Sequence, residues 1–323
     1  KNLIAKYETS FTTELTVKYI KSIIVYLHTK DTETINGVSY PSGNDENDGK
    51  TDQTPVRTWQ KAYSLLKENA PWDENYIVLI GTSSREATCD QTGGNKGFSI
   101  TSSLQGNAVS ETYVQWKAKV DASHLAKNAT ITGMWDKKDY GGVIEAYEDG
   151  TNGVKYIGLF GDTRFQNITF NHDSRAKHSS YIFCQYHNLE MGEGVQMTGF
   201  TSNAPGYGTI DGAKTSSFQI YGGLNNDKRF RTDKGVLDMD AMDASMPHGK
   251  EGFSITLKSG HYSCITPAGR QSTSNQINGL MGTPNMPIKC TVTIYIDRKF
   301  NDDHNQFGAD YEVGILAASH EEA

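Results

Sequence analysis

The chain is short of the residues that staple small domains together. Its four cysteines, Cys89, Cys184, Cys264 and Cys290, form no CxxC pair and no Cys/His ligand spacing, which argues against a structural zinc site. Cys184 in YIFCQY and Cys290 in KCTVTIYI alternate with apolar neighbours, a pattern that favours small buried hydrophobes over disulfides. Long apolar runs are missing as well. The longest, Tyr19 to Leu27, contains Lys21 and falls well short of the roughly 18 residues a membrane-spanning helix needs. Charged residues make up only 21%, and the 31 basic ones are scattered through a chain of net charge -7. Phosphate binding needs a concentrated Lys/Arg face, so no nucleic-acid partner is expected.

What is abundant points to short strands and tight turns. There are 32 glycines and 17 tyrosines in 323 residues, enough chain for a sizeable core in one large domain or two ordinary ones. The chain starts at Lys1 without a charged-then-apolar-then-small leader. We read it as a processed chain or part of a longer protein.

Along the first 37 residues, Leu15, Val17, Tyr19, Ile23, Val25 and Leu27 recur near period two, predicting an N-terminal β segment or linker with a hairpin near Asn36-Gly37. SGNDENDGKTDQTPV from Ser42 is dense in Gly, Asn, Asp and Pro and predicts a loop. A helix is predicted at about 57–69: Thr58 or the preceding turn can cap it, Trp59, Ala62, Tyr63, Leu65 and Leu66 fall at helical spacing, and Pro71 closes it. From there to the C-terminus, β-branched and aromatic runs such as YIVLIGT, ATITGMW, RFQNITF, YIFCQY and CTVTIYI recur between Gly, Asn and Asp turns. Tyr156 and Tyr181 lie 25 residues apart and Phe165 and Leu189 lie 24 apart. That is the length of one coil of a β-solenoid, in which stacked coils bury a continuous column of side chains.

SGNDENDGKTDQTPVRTWQKAYSLL, with YIVLIGT soon after it, resembles the amino-terminal signature of bacterial right-handed parallel β-helix proteins of the pectin-lyase-like class. GDTRFQNITF, HNLEMGEGVQM and ITLKSGHYSCI are similar to coils in large surface proteins of gut-type bacteria. The resemblance covers roughly residues 38–300. It implies an all-β fold, a right-handed parallel β-helix occupying 38–323, closed at its N-terminal end by the short helix. Such a cap would shield apolar side chains and strand edges from aggregation.

The same resemblance implies polysaccharide chemistry. Elimination from a uronic acid needs a base and a cation to stabilise the developing charge, and hydrolysis needs two carboxylates at a set separation. Asp162, Arg164, His172, Asp173, Arg175, Lys177 and His178 gather acid, base and cation on one strand and the loop after it, and form the candidate catalytic set. The alternation of RFQNITF turns Phe165, Ile168 and Phe170 inward, leaves Arg164 free to coat the surface, and lets Asn167 join an internal ladder. Asp45, Asn47, Asp48 and Asp52 around Gly49 supply hard oxygen ligands for calcium; the alternative is an Asx-rich turn bonded to its own backbone. Trp135, Tyr140, Tyr207 and Tyr221 are candidates for stacking on sugar rings. The expected function is a secreted or cell-surface module binding a polysaccharide, host glycan or other host-surface ligand, within a longer surface protein. A polysaccharide lyase or glycosidase, and a structural stalk, are the alternatives.

Overall fold

The computed structural model describes residues 3–6, 12–15, 21–68, 70–82, 97–99, 127–134, 142–145, 156–159, 161–171, 180–184, 186–198, 218–223, 248, 251–260, 262, 264–267, 289–295 and 314–315. In chain order these contain β1 (Leu3–Lys6), β2 (Thr12–Leu15), β3 (Ile23–Leu27), β4 (Glu33–Ile35), β5 (Val38–Tyr40), the helix α1 (Trp59–Leu65) and β6 (Asn75–Leu79). There follow β7 (Gly97–Ser99), β8 (Ala129–Thr132), β9 (Gly142–Glu145), β10 (Tyr156–Gly158), β11 (Thr163–Gln166), β12 (Ile168–Asn171) and β13 (Ser180–Phe183). The last are β14 (Leu189–Met191), β15 (Gln196–Thr198), β16 (Phe218–Tyr221), β17 (Phe253–Leu257), β18 (Cys264–Thr266), β19 (Cys290–Ile294) and β20 (Gly314–Ile315).

The protein is strand-rich, and its three larger sheets are wholly parallel. Their orders are β19-β17-β14-β11-β8-β6-β3, β20-β18-β16-β13-β10-β7, and β15-β12-β9. From β10 to β15 the chain visits the three sheets in turn, twice over. Tyr156 pairs with Tyr181, the 25-residue offset read from the sequence. In the seven-stranded sheet, however, Thr163 pairs with Leu189 and Phe165 with Met191, so Phe165 does not oppose Leu189.

In-register pairing turns the period-two pattern of each strand into columns of like side chains. Val25, Ile77, Ile131, Phe165, Met191, Leu257 and Ile294 follow one another across the seven-stranded sheet. Ile157, Ile182, Ile220 and Ile265 do the same in the six-stranded sheet, and Ile144, Phe170 and Met197 in the three-stranded one. These columns meet in one hydrophobic core. Phe170 lies edge-on to Phe165 and Phe218, with centroids 5.1 and 5.9 Å apart, contacts that add to the area each ring removes from water. Truncating Phe165 or Phe170 to alanine would cost roughly 3–5 kcal/mol.

RFQNITF, read as one strand, is two. Asn167 interrupts it with φ +49°, a left-handed conformation that Asn tolerates better than most residues. The chain therefore bends from the seven-stranded to the three-stranded sheet, and Phe165, Ile168 and Phe170 are all buried on its inner side. Asn167 itself is exposed, and its backbone serves the bend, accepting from Gly133 N and donating to Glu193 O.

The helix begins where predicted. Thr58 Oγ1 accepts from Lys61 N at 3.1 Å, and Trp59, Ala62, Tyr63 and Leu66 bury their faces in the main core beside β3. It ends at Leu65, earlier than the residue 69 expected, because Leu66 is already extended. Lys127 then reaches back to it, its Nζ donating to Leu66 O at 2.7 Å and Ser64 O at 3.2 Å, so a cation closes the carbonyl end of the helix.

The division expected at residue 37 falls inside the antiparallel hairpin β4–β5, and β3 pairs with β6 in the principal sheet. Asn36 and Gly37 both have positive φ, as a two-residue hairpin turn needs. Ile35 and Tyr40 from this hairpin pack with Val78, Ile80 and Met134 in a second, smaller core on the outer side of the sheet. Among the described residues no helix is long and apolar enough to cross a membrane.

Candidate functional site

Asp162 lies one position before β11, at the N-terminal end of the central strand of the seven-stranded sheet, in a column of polar residues that precede successive strands. Asn128 Oδ1 accepts from Asp162 N at 2.8 Å, Asp162 Oδ1 accepts from Asn188 N at 2.9 Å, and Asn188 Oδ1 accepts from Ser254 N at 2.8 Å. Each side chain thus satisfies the backbone of the next strand's entry, a group that burial would otherwise leave unpaired. This column takes the ladder role considered for Asn167.

Two histidines converge on the same carboxylate. His248 Nε2 donates to Asp162 Oδ1 at 2.8 Å, and His187 Nδ1 stands 3.7 Å from that oxygen. Asn188 Nδ2 donates to Asp162 Oδ2 at 3.1 Å and lies 3.0 Å from His248 Nε2. Burial pushes the Asp162 carboxyl up, but the two imidazoles and the Asn188 N–H outweigh it and hold the group down to about 2. Asp162 is therefore an acceptor at neutral pH. With Nδ1 of His187 turned to it, the Nε2 of that ring is on the far side, the orientation a carboxylate gives an imidazole base. The His187 and Asp162 side chains are 18% and 16% exposed.

Arg164 belongs to a different surface. It stands on the outer face of β11, where Nε donates to Glu190 Oε1 at 3.0 Å, Nη1 reaches Asp73 Oδ1, and the guanidinium lies 4.9 Å from the Trp72 ring centroid. Lys258 Nζ donates to the same Glu190 oxygen at 2.9 Å, giving alternating charges from Asp73 to Lys258 across neighbouring strands. Arg164 and Asp162 are two residues apart in sequence, yet one holds a sheet face and the other the row of strand entries at the end of the sheet. His172, Asp173, Arg175, Lys177 and His178 lie outside the described residues.

Within the loop of Asp45, Asn47, Asp48 and Asp52, three of the four side chains make defined bonds. Asp45 Oδ1 accepts from Arg57 N at 2.8 Å and Thr58 N at 2.9 Å, and its Oδ2 from Thr58 Oγ1 at 2.8 Å. Asn47 Nδ2 donates to Pro55 O at 2.8 Å, and Asp48 Oδ1 accepts from Lys50 N at 3.1 Å. Asp48 is also paired with Lys50 at 3.0 Å, and the backbone and side-chain bonds to Lys50 lower its carboxyl. These are the bonds of an Asx-rich turn that fastens the loop to the helix start. Asp52 is half-buried in the same loop. No group of three or more His, Cys, Asp or Glu among the described residues is arranged to hold a metal ion.

Of the expected sugar-stacking aromatics, Tyr221 is 1% exposed, its ring stacked on Phe183 at 5.2 Å and its hydroxyl donating to Gln219 Oε1 at 2.9 Å. Its faces are covered by protein, so it cannot stack on a sugar ring. Trp135, Tyr140 and Tyr207 lie outside the described residues. Among the described residues the exposed large aromatic is Tyr295, at 51%, just after β19, with Lys258 Nζ 5.8 Å from its ring centroid.

His187, Asn188, His248 and Tyr295 did not emerge from the sequence reading. Asn128, Asp162 and Asn188 carry a signal in retrospect, because each stands immediately before ATIT, TRFQ or LEM, the strands that pair. His248 carries none: it comes from 60 residues beyond Asn188. No family model, curated protein or solved structure matches this chain.

Proposed function

We propose that the three parallel sheets are the faces of a right-handed parallel β-helix closed at one end by α1, and that this is a secreted or cell-surface module binding a polysaccharide or host glycan. The observation that carries the reading is the outer face of the seven-stranded sheet. The hairpin β4–β5 covers it over β3 and β6. Beyond that cover, Gln166, Glu190, Thr256, Lys258, Thr293 and Tyr295 alternate outward on successive strands, none of them buried. Amide, hydroxyl and charged groups beside an exposed ring are the chemistry that holds a hydroxyl-rich chain. This reading needs no nucleic-acid partner and fits a place within a longer surface protein.

A second reading, a polysaccharide lyase or glycosidase, is favoured by one observation: the partly exposed Asp162 with His187 and His248 on a single oxygen. The test is incubation of the chain, with and without Ca²⁺, with uronic-acid and neutral polysaccharides, recording ultraviolet absorbance of new unsaturated ends, reducing ends, and retention on immobilised glycans. Retention without product, reduced at least tenfold by Tyr295→Ala, is the expected result. New chain ends abolished by His187→Ala would establish the second reading instead. Neither signal would favour a structural stalk or a module that binds protein.

A further inference from the structure

The outer hairpin is fastened by a contact that neither reading uses, between a buried His28 and a Glu33 side chain that is 34% exposed. His28 follows β3 and is fully buried. Its Nδ1 lies 2.6 Å from Pro41 O. A carbonyl oxygen can only accept, so Nδ1 carries a hydrogen. The other nitrogen, Nε2, faces Glu33 Oε2 at 3.6 Å, and both atoms are buried with no hydrogen-bond partner. With Nδ1 already protonated, a neutral ring would present the Nε2 lone pair to an ionised carboxylate. Two buried acceptors would then oppose each other with nothing between them, an arrangement that burial makes costly.

We propose that His28 Nε2 carries a proton that faces Glu33 Oε2, and that this charged contact clasps the hairpin β4–β5 to the parallel sheets. Glu33 opens β4 and Pro41 follows β5. The one imidazole therefore grips both ends of the hairpin. The site is closed from below by Gly81, where an added Cβ would lie 2.2 Å from Glu33 Oε2. Above the clasp, Ile35 and Tyr40 seal the small outer core on Val78, Ile80 and Met134.

Arg57, Asp31 and Asp45, on the segments around the clasp, make contacts of their own. Arg57 donates to Lys30 O and pairs with Asp31 at 3.4 Å, and Asp45 accepts from Arg57 N and from Thr58. Among the described residues Glu33 is the one charged group paired with the His28 ring. Removing the proton with base leaves the opposed lone pairs, so the clasp is present at lower pH and lost as pH rises. The device sets how firmly the hairpin covers the N-terminal half of the sheet's outer face.

Two measurements on the whole chain test it. Nitrogen-15 spectra of histidine-labelled protein, with His28 assigned by its loss in His28→Gln, should show both ring nitrogens protonated at about pH 6. A ring protonated at Nδ1 alone at that pH, in folded protein, overturns the proposal. Hydrogen exchange of the Val38–Tyr40 amides, corrected for the intrinsic rate, should accelerate roughly tenfold or more between about pH 6 and pH 9. In Glu33→Gln, whose amide can donate to a neutral ring, that pH dependence should vanish. Its full retention in Glu33→Gln would show that the clasp does not depend on Glu33 and would overturn the proposal as well.

Discussion

Replacing Asp162 with asparagine separates the charge of this residue from its place in the polar column. Asparagine keeps an oxygen for Asn188 N and removes the anion that His187 and His248 face. The carboxyl is held from an ordinary 3.8 down to about 2, and each pH unit is worth about 1.4 kcal/mol, so the ion contributes roughly 2 kcal/mol to folding. Because the folded-state value is depressed, this contribution is present above pH 4 and is lost as pH falls towards 2. Urea unfolding of wild type and Asp162→Asn should differ by about 2 kcal/mol at pH 6 and converge at pH 2. Equal stabilities at pH 6, or a gap that persists unchanged to pH 2, would refute the account of Asp162 as an ionised acceptor between two imidazoles.

Other changes probe other parts of the fold. Lys127→Met should cost about 1–2 kcal/mol in chemical denaturation, because the Ser64 and Leu66 carbonyls at the end of α1 lose their donor. Asn167→Gly should be close to neutral and Asn167→Val should cost more than about 1 kcal/mol, measured by thermal unfolding, since φ is +49° there. Glu190→Ala should cost about 1–3 kcal/mol by leaving Arg164 and Lys258 without their shared acceptor, whereas Glu190→Gln should recover part of it. Burial pushes the Cys290 thiol up to about 12 and the Cys184 thiol well above its ordinary value, so alkylation of both by iodoacetamide at pH 8 should be far slower in folded than in unfolded protein, as mass spectrometry can follow.

The parallel sheets were legible wherever local rules suffice. β-branched and aromatic runs at period two gave most of the strands, and Thr58 with the Trp59, Ala62, Tyr63 and Leu66 spacing gave the helix. What local rules could not give was register. Phe165 opposes Met191 rather than Leu189 because the column forms at Thr163 and Leu189, and pairing slips only in steps of two if the same faces are to stay buried. The short strands β14, β15 and β18 are three residues each, too brief for periodicity to stand out. β14 and β18 exist because neighbours on either side supply their hydrogen bonds, and β15 because β12 supplies them along one side.

The candidate site followed the same division. Asp162 and Arg164 attracted notice as acid and base close in sequence, but alternation along β11 and the position of Asp162 before it send them to separate surfaces. Tyr221 read as a surface aromatic because polar residues follow it, yet column position places it on Phe183 in the interior. The Asx residues around Gly49 could bind a cation or close a turn, and the proximity of Thr58 and Arg57 commits Asp45 to the turn.

By itself the sequence determined the strand-rich character, the inward and outward sides of the longer strands, the hairpin turn at Asn36-Gly37 and the start of the single described α-helix, because each depends on φ/ψ preference and periodicity within a few residues. Only the tertiary structure decided which residues share a carboxylate oxygen. His187 and His248 reach Asp162 from 25 and 86 positions along the chain, and His28 meets Glu33 and Pro41 because β3 lies beneath a hairpin that folds back over it. The first are set by how strands stack in parallel and the second by how the antiparallel hairpin folds back over β3, relations that no period-two pattern records.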